Sequence, residues 1–263
     1  WIEGDLWPKA HLSARAVADA EEIGDRRLRG LALIALGSAQ MGLGAYDEGY
    51  RTHHEALAMI KTMPDESYLL GLAAAILSMG LTDQGDPRSF DEAAAVADVC
   101  IRSVAPTSPT AGISHVSVAR VLAHRGALLE AEEHARIGLR TLLVQPAMCP
   151  MAHATLIQVL LARGAPCEAR DAAEEGLRQL RSVGSCWTAL YVLLAAAEAY
   201  HAVADTAAAH DALRDAQRRL MERADKIPEA GARRRFLEQV PLNARILHLA
   251  HAWGALEDSS SSA

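Results

Sequence analysis

The eleven histidines are the residues of this chain with the clearest capacity for chemistry, because imidazole binds metals and carries protons near neutral pH. A zinc site on one helix needs His-Glu-x-x-His or a similar pair four residues apart, and neither pattern occurs. His53 and His54 are adjacent and point to different sides of a helix, whereas His248 and His251 stand one turn apart and are placed to meet. We predict no metal site, and expect histidines that are partly buried or on helix surfaces.

Other catalytic motifs are missing too. The glycines of residues 37–44 lack the preceding strand and the following Lys-Ser/Thr of a phosphate loop, and no Gly-x-Ser-x-Gly elbow is present. Adjacent carboxylates on predicted helices are typical of solvated faces, and they occur at Glu21-Glu22, Glu132-Glu133 and Glu174-Glu175. The sequence therefore predicts a chain that is not an enzyme and that needs no cofactor.

The four cysteines form no Cys-x-x-Cys pair, which predicts buried or incidental thiols in a reducing compartment. A net charge of −7 argues against a nucleic-acid partner, and the triplet Arg233-Arg234-Arg235 alone does not reverse that argument. No apolar run is long enough to span a bilayer, and no signal peptide is recognisable, so we expect a cytoplasmic protein. Because the chain begins at Trp1, we expect it to be part of a longer polypeptide.

Composition and repetition indicate which elements must position any functional side chain. Alanine and leucine are abundant and aromatic residues make up only 4%, which favours helices over strands. A unit recurs: an Ala/Leu-rich helix, a short turn that usually contains glycine, and a second helix with a small residue near its start. That residue is Gly49, Ala93, Ala131, Ala169 and Ala209, at spacings of 44, 38, 38 and 40 residues. Because one such helix pair leaves an apolar face exposed, the pairs must stack.

Leu36-Gly37, Tyr46, Gly49 and Ala56, with their echoes in later units, resemble the tetratricopeptide repeat. Units near forty residues look like the superhelical sensor domains of large bacterial regulators, such as the maltose-regulon transcription activator. The resemblance implies an all-α fold: a right-handed α-solenoid of about five degenerate tetratricopeptide-like helix pairs with a C-terminal capping helix. Residues 83–87, which contain Asp83, Gly85 and Pro87, predict an inserted loop in the second unit.

The end of the chain differs from the repeats. Arg233-x-x-Phe236-Leu237, Val240-Pro241 and Asn243-x-Arg245 resemble the closing segment of bacterial signalling proteins that join a Ser/Thr kinase or ATPase module to a C-terminal tetratricopeptide array. We predict a solenoid over residues 1–226, a capping segment over 227–258 and a disordered tail over 259–263.

In relatives of this kind the first helices of the pairs line a concave groove that binds peptides or small ligands. Projecting the repeat register onto that groove selects Ser38, Met41, Arg120, Gln158, Tyr191, Glu198 and His201. We therefore predict a protein–protein interaction or ligand-sensing module of a bacterial signalling or regulatory protein, whose partner is a protein, a peptide or a small-molecule effector. An oligomerisation scaffold with alanine-rich faces is the alternative, and an α-helical enzyme with a site in the groove is the remaining one.

Overall fold

The computed structural model describes residues 5–184 and 186–260, with side chains as far as Gly254. These residues form thirteen α-helices, two short 3₁₀ turns and no strand. The helices are α1 (Leu6–Glu22), α2 (Arg26–Gly42), α3 (Tyr46–Ile60), α4 (Ser67–Gln84), α5 (Phe90–Ser103), α6 (Pro109–His124), α7 (Leu128–Leu142), α8 (Cys149–Ala162), α9 (Pro166–Val183), α10 (Ala189–Ala202), α11 (Thr206–Asp225), α12 (Ala230–Glu238) and α13 (Pro241–Ser260).

Five consecutive helix pairs stack side by side, from α2–α3 to α10–α11. The first helix of each pair packs against its own second helix and against the first helix of the next pair, in the series α2, α4, α6, α8 and α10. Helix α1 precedes them and packs on α2. The predicted fold class, an all-α solenoid of five tetratricopeptide-like helix pairs, is confirmed.

The turns within the pairs follow from local chemistry. Gly44, Gly126 and Gly164 end the first helices of three pairs with φ of +78°, +79° and +74°, a region that favours glycine. At helix starts, the Asp25 and Asp205 carboxylates accept hydrogen bonds from the backbone N–H of Leu28 (2.9 Å) and Ala208 (3.1 Å). The glycine-containing turn predicted for the repeat unit is therefore present in these three pairs.

Small residues let the stacked helices approach closely. Ala93, Ala131, Ala169 and Ala209, four of the recurring positions found in the sequence, are 0% exposed. At Gly138 of α7, an added Cβ would lie 2.8 Å from the Val116 side chain and 3.0 Å from a backbone oxygen of α6. Such contacts leave no room for a larger side chain at this point of the α6–α7 interface.

The solenoid closes on itself. Helix α13 packs on α11 and also reaches back to α4, while the backbone oxygen of Arg235 in α12 lies against Gly44. Asp5, which precedes α1, forms an ion pair with Lys226, which follows α11. The distance from Lys226 Nζ to Asp5 Oδ1 is 2.7 Å. We call the region where α1, α12 and α13 meet α4, α10 and α11 the closing junction.

The predicted capping segment supplies the buried side chains Ile246, Leu249 and Trp253, which are at most 8% exposed. The predicted boundaries of the solenoid, cap and tail stay predictions, and residues 261–263 of the tail lie outside the described residues. No helix in the described ranges combines the length and the apolarity needed to cross a bilayer.

Candidate functional site

A cavity of about 690 Å³ lies inside the closing junction, and we call it the central cavity. Its wall comes from both ends of the chain: α1, α2 and α4 on one side, α10 to α13 on the other. Most of the wall is apolar, with side chains that include Leu6, Ile76, Met79, Leu190, Phe236 and Val240. Cavities of this size with an apolar wall and a few polar groups are the usual form of small-ligand sites.

Three of the seven predicted groove residues, Ser38, Met41 and Tyr191, line the central cavity. Arg120 lies one contact behind the wall, because its guanidinium forms an ion pair with Asp83, which does line it. These four residues come from α2, α6 and α10, and the closure of the solenoid brings them together.

The other three predicted residues lie elsewhere. Gln158 is exposed on α8 and is not part of the cavity wall. The Glu198 carboxylate accepts a hydrogen bond of 3.0 Å from Arg245 Nε, and the His201 ring stacks on Trp253 with centroids 4.8 Å apart. Projecting the repeat register assumes that every first helix has the same neighbours. The end of α10 that holds Glu198 and His201 has a different neighbour, α13, and both side chains contact it.

A half-buried polar cluster is centred on Asp83. Tyr191 Oη donates to Asp83 Oδ2 over 2.7 Å, and the Arg120 guanidinium, paired with the same carboxylate, lies 5.4 Å from the Tyr191 ring centroid. Arg120 Nε also donates to Thr155 Oγ1 at 3.1 Å. Burial, and then the Asp83 charge, raise the pKa of Tyr191 well above its ordinary value. The cluster therefore ties α4, α6, α8 and α10 together.

Asp83 is the functional candidate that sequence reasoning missed. The predicted inserted loop at residues 83–87 is wrong at its start, because α4 continues through Gln84 and Asp83 lies in its last turn. Ile76, Met79 and Asp83 follow one another at helical spacing and all face the cavity. This helical spacing is the sequence signal that could have identified Asp83. The Gly85-Asp86-Pro87 that follows is typical of a loop, and it led to the wrong prediction.

Two cationic side chains also line the cavity. Lys9 Nζ donates to Ser38 Oγ over 3.1 Å, and burial lowers the pKa of Lys9 from 10.5 to about 8. The Arg223 guanidinium donates to the backbone oxygens of Trp187 (2.9 Å) and Cys186 (2.8 Å), and burial lowers its pKa as well. The sequence alone did not mark either residue, because neither lies on a first helix of a repeat.

Metal-binding groups and thiols do not form a reactive cluster in the described part of the chain. Across residues 5–184 and 186–260, no group of three or more His, Cys, Asp or Glu side chains is placed to hold a metal ion. Cys100, Cys149 and Cys186 are buried and free, and burial raises the pKa of the Cys100 and Cys149 thiols, which makes them poor nucleophiles.

No family model and no curated protein sequence matches this chain. Solved structures do match it. BtubC (BKLC) from P. vanneervenii has a TM-score of 0.60 at 16% identity, over 85% of this chain and 94% of that one. Cut9, from the APC/C hetero-tetramer Cut9-Hcn1, has a TM-score of 0.62 at 14% identity over 91% of this chain, which spans only 46% of Cut9.

PilW, a widely conserved type IV pilus biogenesis factor, has a TM-score of 0.51 at 17% identity, over 79% of this chain and 92% of that one. All three are tetratricopeptide-like helical-repeat proteins, and at these identities they show that this chain shares their fold. The resemblance to kinase–ATPase proteins and to the maltose activator is a finer statement, and it stays a prediction.

Proposed function

We propose that this chain is a non-catalytic, ligand-sensing module of a larger signalling or regulatory protein, with the central cavity as its binding site. The observation that carries the proposal is the cavity itself, an apolar space of about 690 Å³ with polar side chains at its wall. Helices α1, α12 and α13, at the two ends of the solenoid, line this cavity, so its space suits one small molecule better than a long peptide.

The position of the cavity explains how its occupation would be sensed. Helices α1 and α2 form one wall, whereas α10 to α13 form the opposite wall, so a ligand contacts the first and last parts of the chain at once. A ligand that binds only the closed arrangement stabilises that arrangement, by an amount that grows with the ratio of ligand concentration to Kd. Occupation would thereby change the stiffness of the closing junction, which is a signal that neighbouring domains of a longer protein can read.

A ligand screen against the whole chain tests this proposal. Small apolar compounds are scored by thermal unfolding and native mass spectrometry. We expect one bound molecule per chain and, near saturation, a rise in unfolding midpoint of roughly 5 °C or more. Ser38→Phe, which fills the cavity, should abolish the rise, whereas Ser182→Phe on the exposed face of α9 should not. Binding that survives Ser38→Phe unchanged would place the site elsewhere.

A second candidate function is an oligomerisation scaffold. It is favoured by Leu143 and Val144, which lie side by side after α7 and are 53% and 75% exposed. Sedimentation velocity at high concentration tests it: self-association that Val144→Glu removes would support the scaffold. A strict monomer at all concentrations would eliminate it.

A further inference from the structure

The wall of the central cavity is open to solvent along α1. Two of the residues that line the cavity, Pro8 and Leu12, are exposed, and both belong to α1. Every other lining residue is buried or half-buried. Leu12 is 67% exposed although it is apolar, so water reaches the cavity wall beside this helix. The wall is therefore most accessible at α1.

Helix α1 is also the part of the wall that is least held by buried side chains. Of its seventeen residues only Ser13 and Ala20 are buried. On the opposite wall, ten of the fourteen residues of α10 are buried, and α13 buries Ile246, Leu249 and Trp253. Burial of apolar surface is the main term that resists local opening. Opening therefore costs less at α1 than at α10 or α13.

The start of α1 is not capped by a side chain. Asp5 precedes the helix, but its carboxylate pairs with Lys226 and makes no capping hydrogen bond to α1. At the start of α2, by contrast, the Asp25 carboxylate accepts the backbone N–H of Leu28. A helix end without a cap leaves its first N–H groups without partners in the helix, and it opens more readily.

The contacts that close the start of α1 onto the solenoid include one apolar contact and one ion pair. A Cβ on Gly42, at the end of α2, would lie 3.0 Å from Leu6 Cδ1, so Leu6 packs directly on that glycine. The ion pair of Asp5 with Lys226 has side chains that are 35% and 50% exposed, and exposed pairs contribute little to stability. The other end of α1 is anchored by the buried Ala20.

We propose that residues 5–13 of α1 form the lid of the central cavity, which swings outward from the end anchored by Ala20 to admit the ligand and closes over it. This inference rests on the proposed function and names the element that controls access to its site. A bound apolar ligand contacts Leu6 and Leu12 only when the lid is closed, so occupation shifts the lid toward its closed position.

A reversible disulfide tests the lid directly. Leu6 Cγ lies 3.7 Å from the position of a Cβ on Gly42, which places the Leu6→Cys/Gly42→Cys pair within disulfide reach. The exposed Cys167 is replaced by Ser to prevent mispairing. Entry is followed by stopped-flow mixing with N-phenyl-1-naphthylamine, a neutral probe whose fluorescence rises in apolar surroundings. We expect entry to be about 10-fold slower in the oxidised protein and to recover on reduction.

The single variants Leu6→Cys and Gly42→Cys are the controls, because oxidation should leave the rate of probe entry unchanged in both. Equal entry rates in the oxidised and reduced double variant would overturn the lid. If Ser38→Phe still abolishes probe binding in that case, the cavity remains the site and the probe enters through another part of the wall.

Hydrogen exchange of the unaltered chain tests the lid without any ligand. The amides of residues 10–13 in α1 should exchange about 100-fold faster than those of residues 30–33, which have the same position in α2. Asp5→Asn removes the partner of Lys226 and should speed this exchange further. Asp98→Asn, which removes an exposed ion pair on α5, is the matched control and should not. Equal protection of the two segments would overturn the lid, whether or not a probe binds.

The outcomes separate the lid from the proposed function. If neither the probe nor the compound screen finds a ligand, but residues 10–13 exchange fast and the disulfide slows them, the proposed function is rejected and the movement of α1 stands. If ligands bind in the cavity and exchange of residues 10–13 does not slow on binding, the lid is rejected and the cavity keeps its proposed function.

Discussion

The contacts between stacked helices, both within a helix pair and between successive pairs, are here called the repeat interfaces, and they are packed differently from the closing junction. Between α6, α7 and α8, side chains such as Ala119, Ala135 and Ala154 are at most 1% exposed, and glycine lets the backbones approach closely. At the closing junction the side chains are larger, several are charged, and a cavity of about 690 Å³ remains.

The difference teaches where stability and binding reside in this fold. Each repeat presents a face that is complementary to the next repeat, so small buried residues pack closely over most of these interfaces, although a space of about 550 Å³ lies between α9, α10 and α11. The two ends of the solenoid do not have surfaces that repeat and fit each other in this way. Where they meet, a cavity remains, and apolar, polar and charged side chains lie together on its wall. Substitutions should therefore affect stability mainly at the repeat interfaces and ligand binding mainly at the closing junction.

The largest expected effect comes from overfilling a repeat interface. Gly138→Leu should lower the free energy of unfolding by about 3 kcal/mol, because its Cβ would lie 2.8 Å from Val116 and 3.0 Å from a backbone oxygen. Thermal unfolding followed by circular dichroism should show a midpoint lower by roughly 6 to 12 °C. Gly254→Leu is the control, since a Cβ there meets nothing within 4 Å. Equal losses at the two positions would contradict the comparison.

Acid should weaken a repeat interface through His53. This side chain is 0% exposed, its ring nitrogens have no hydrogen-bond partner in the described part of the chain, and burial lowers its pKa from 6.5 to about 4. Below pH 6.5 the unfolded chain binds a proton that the folded chain does not, so stability falls until about pH 4. The loss is at most about 3 kcal/mol.

Urea unfolding at pH 7 and pH 4.5 measures this loss. His53→Leu should reduce the difference between the two pH values, whereas the exposed His248→Leu should leave it unchanged. His153 has a pKa lowered in the same direction by burial, so some acid sensitivity should remain until it is replaced too. An undiminished difference in His53→Leu would contradict the assignment.

A smaller effect is expected from the polar cluster centred on Asp83. Tyr191→Phe removes the 2.7 Å hydrogen bond to Asp83 and keeps the ring, so it should lower the free energy of unfolding by about 1 to 2 kcal/mol. Because Tyr191 also lines the cavity, the same variant should alter ligand affinity. Tyr68→Phe, at a tyrosine that is 59% exposed, is the control for urea unfolding and for binding.

The smallest effect is expected at the surface of the closing junction. Arg245→Gln breaks the 3.0 Å ion pair with Glu198, whose side chains are 50% and 23% exposed. Exposed pairs contribute about 0 to 1 kcal/mol, and salt screens them. Urea unfolding in low and high salt should show a difference from the unaltered chain only in low salt. A loss above 2 kcal/mol would mean that this contact holds α13 in place.

The sequence by itself determined the helices and their order. Alanine and leucine periodicity, the glycine turns near Gly44, Gly126 and Gly164, and the recurring small residues at Ala93, Ala131 and Ala169 act over a few residues or between neighbouring repeats. Such local information predicts stacked helix pairs, because each pair repeats the same contact with the next. The one clear local error was Asp83, where a nearby Gly-Asp-Pro suggested a loop.

Only the tertiary structure decided the central cavity. It depends on contacts such as Asp5 with Lys226 and Asp83 with Tyr191, which join residues 221 and 108 positions apart. No repeat pattern encodes these contacts, because small changes in angle at each repeat add up over five pairs before the ends meet. The repeat pattern also does not indicate Lys9 and Arg223, because neither lies on a first helix of a repeat. Only the closure of the solenoid brings them to the cavity wall.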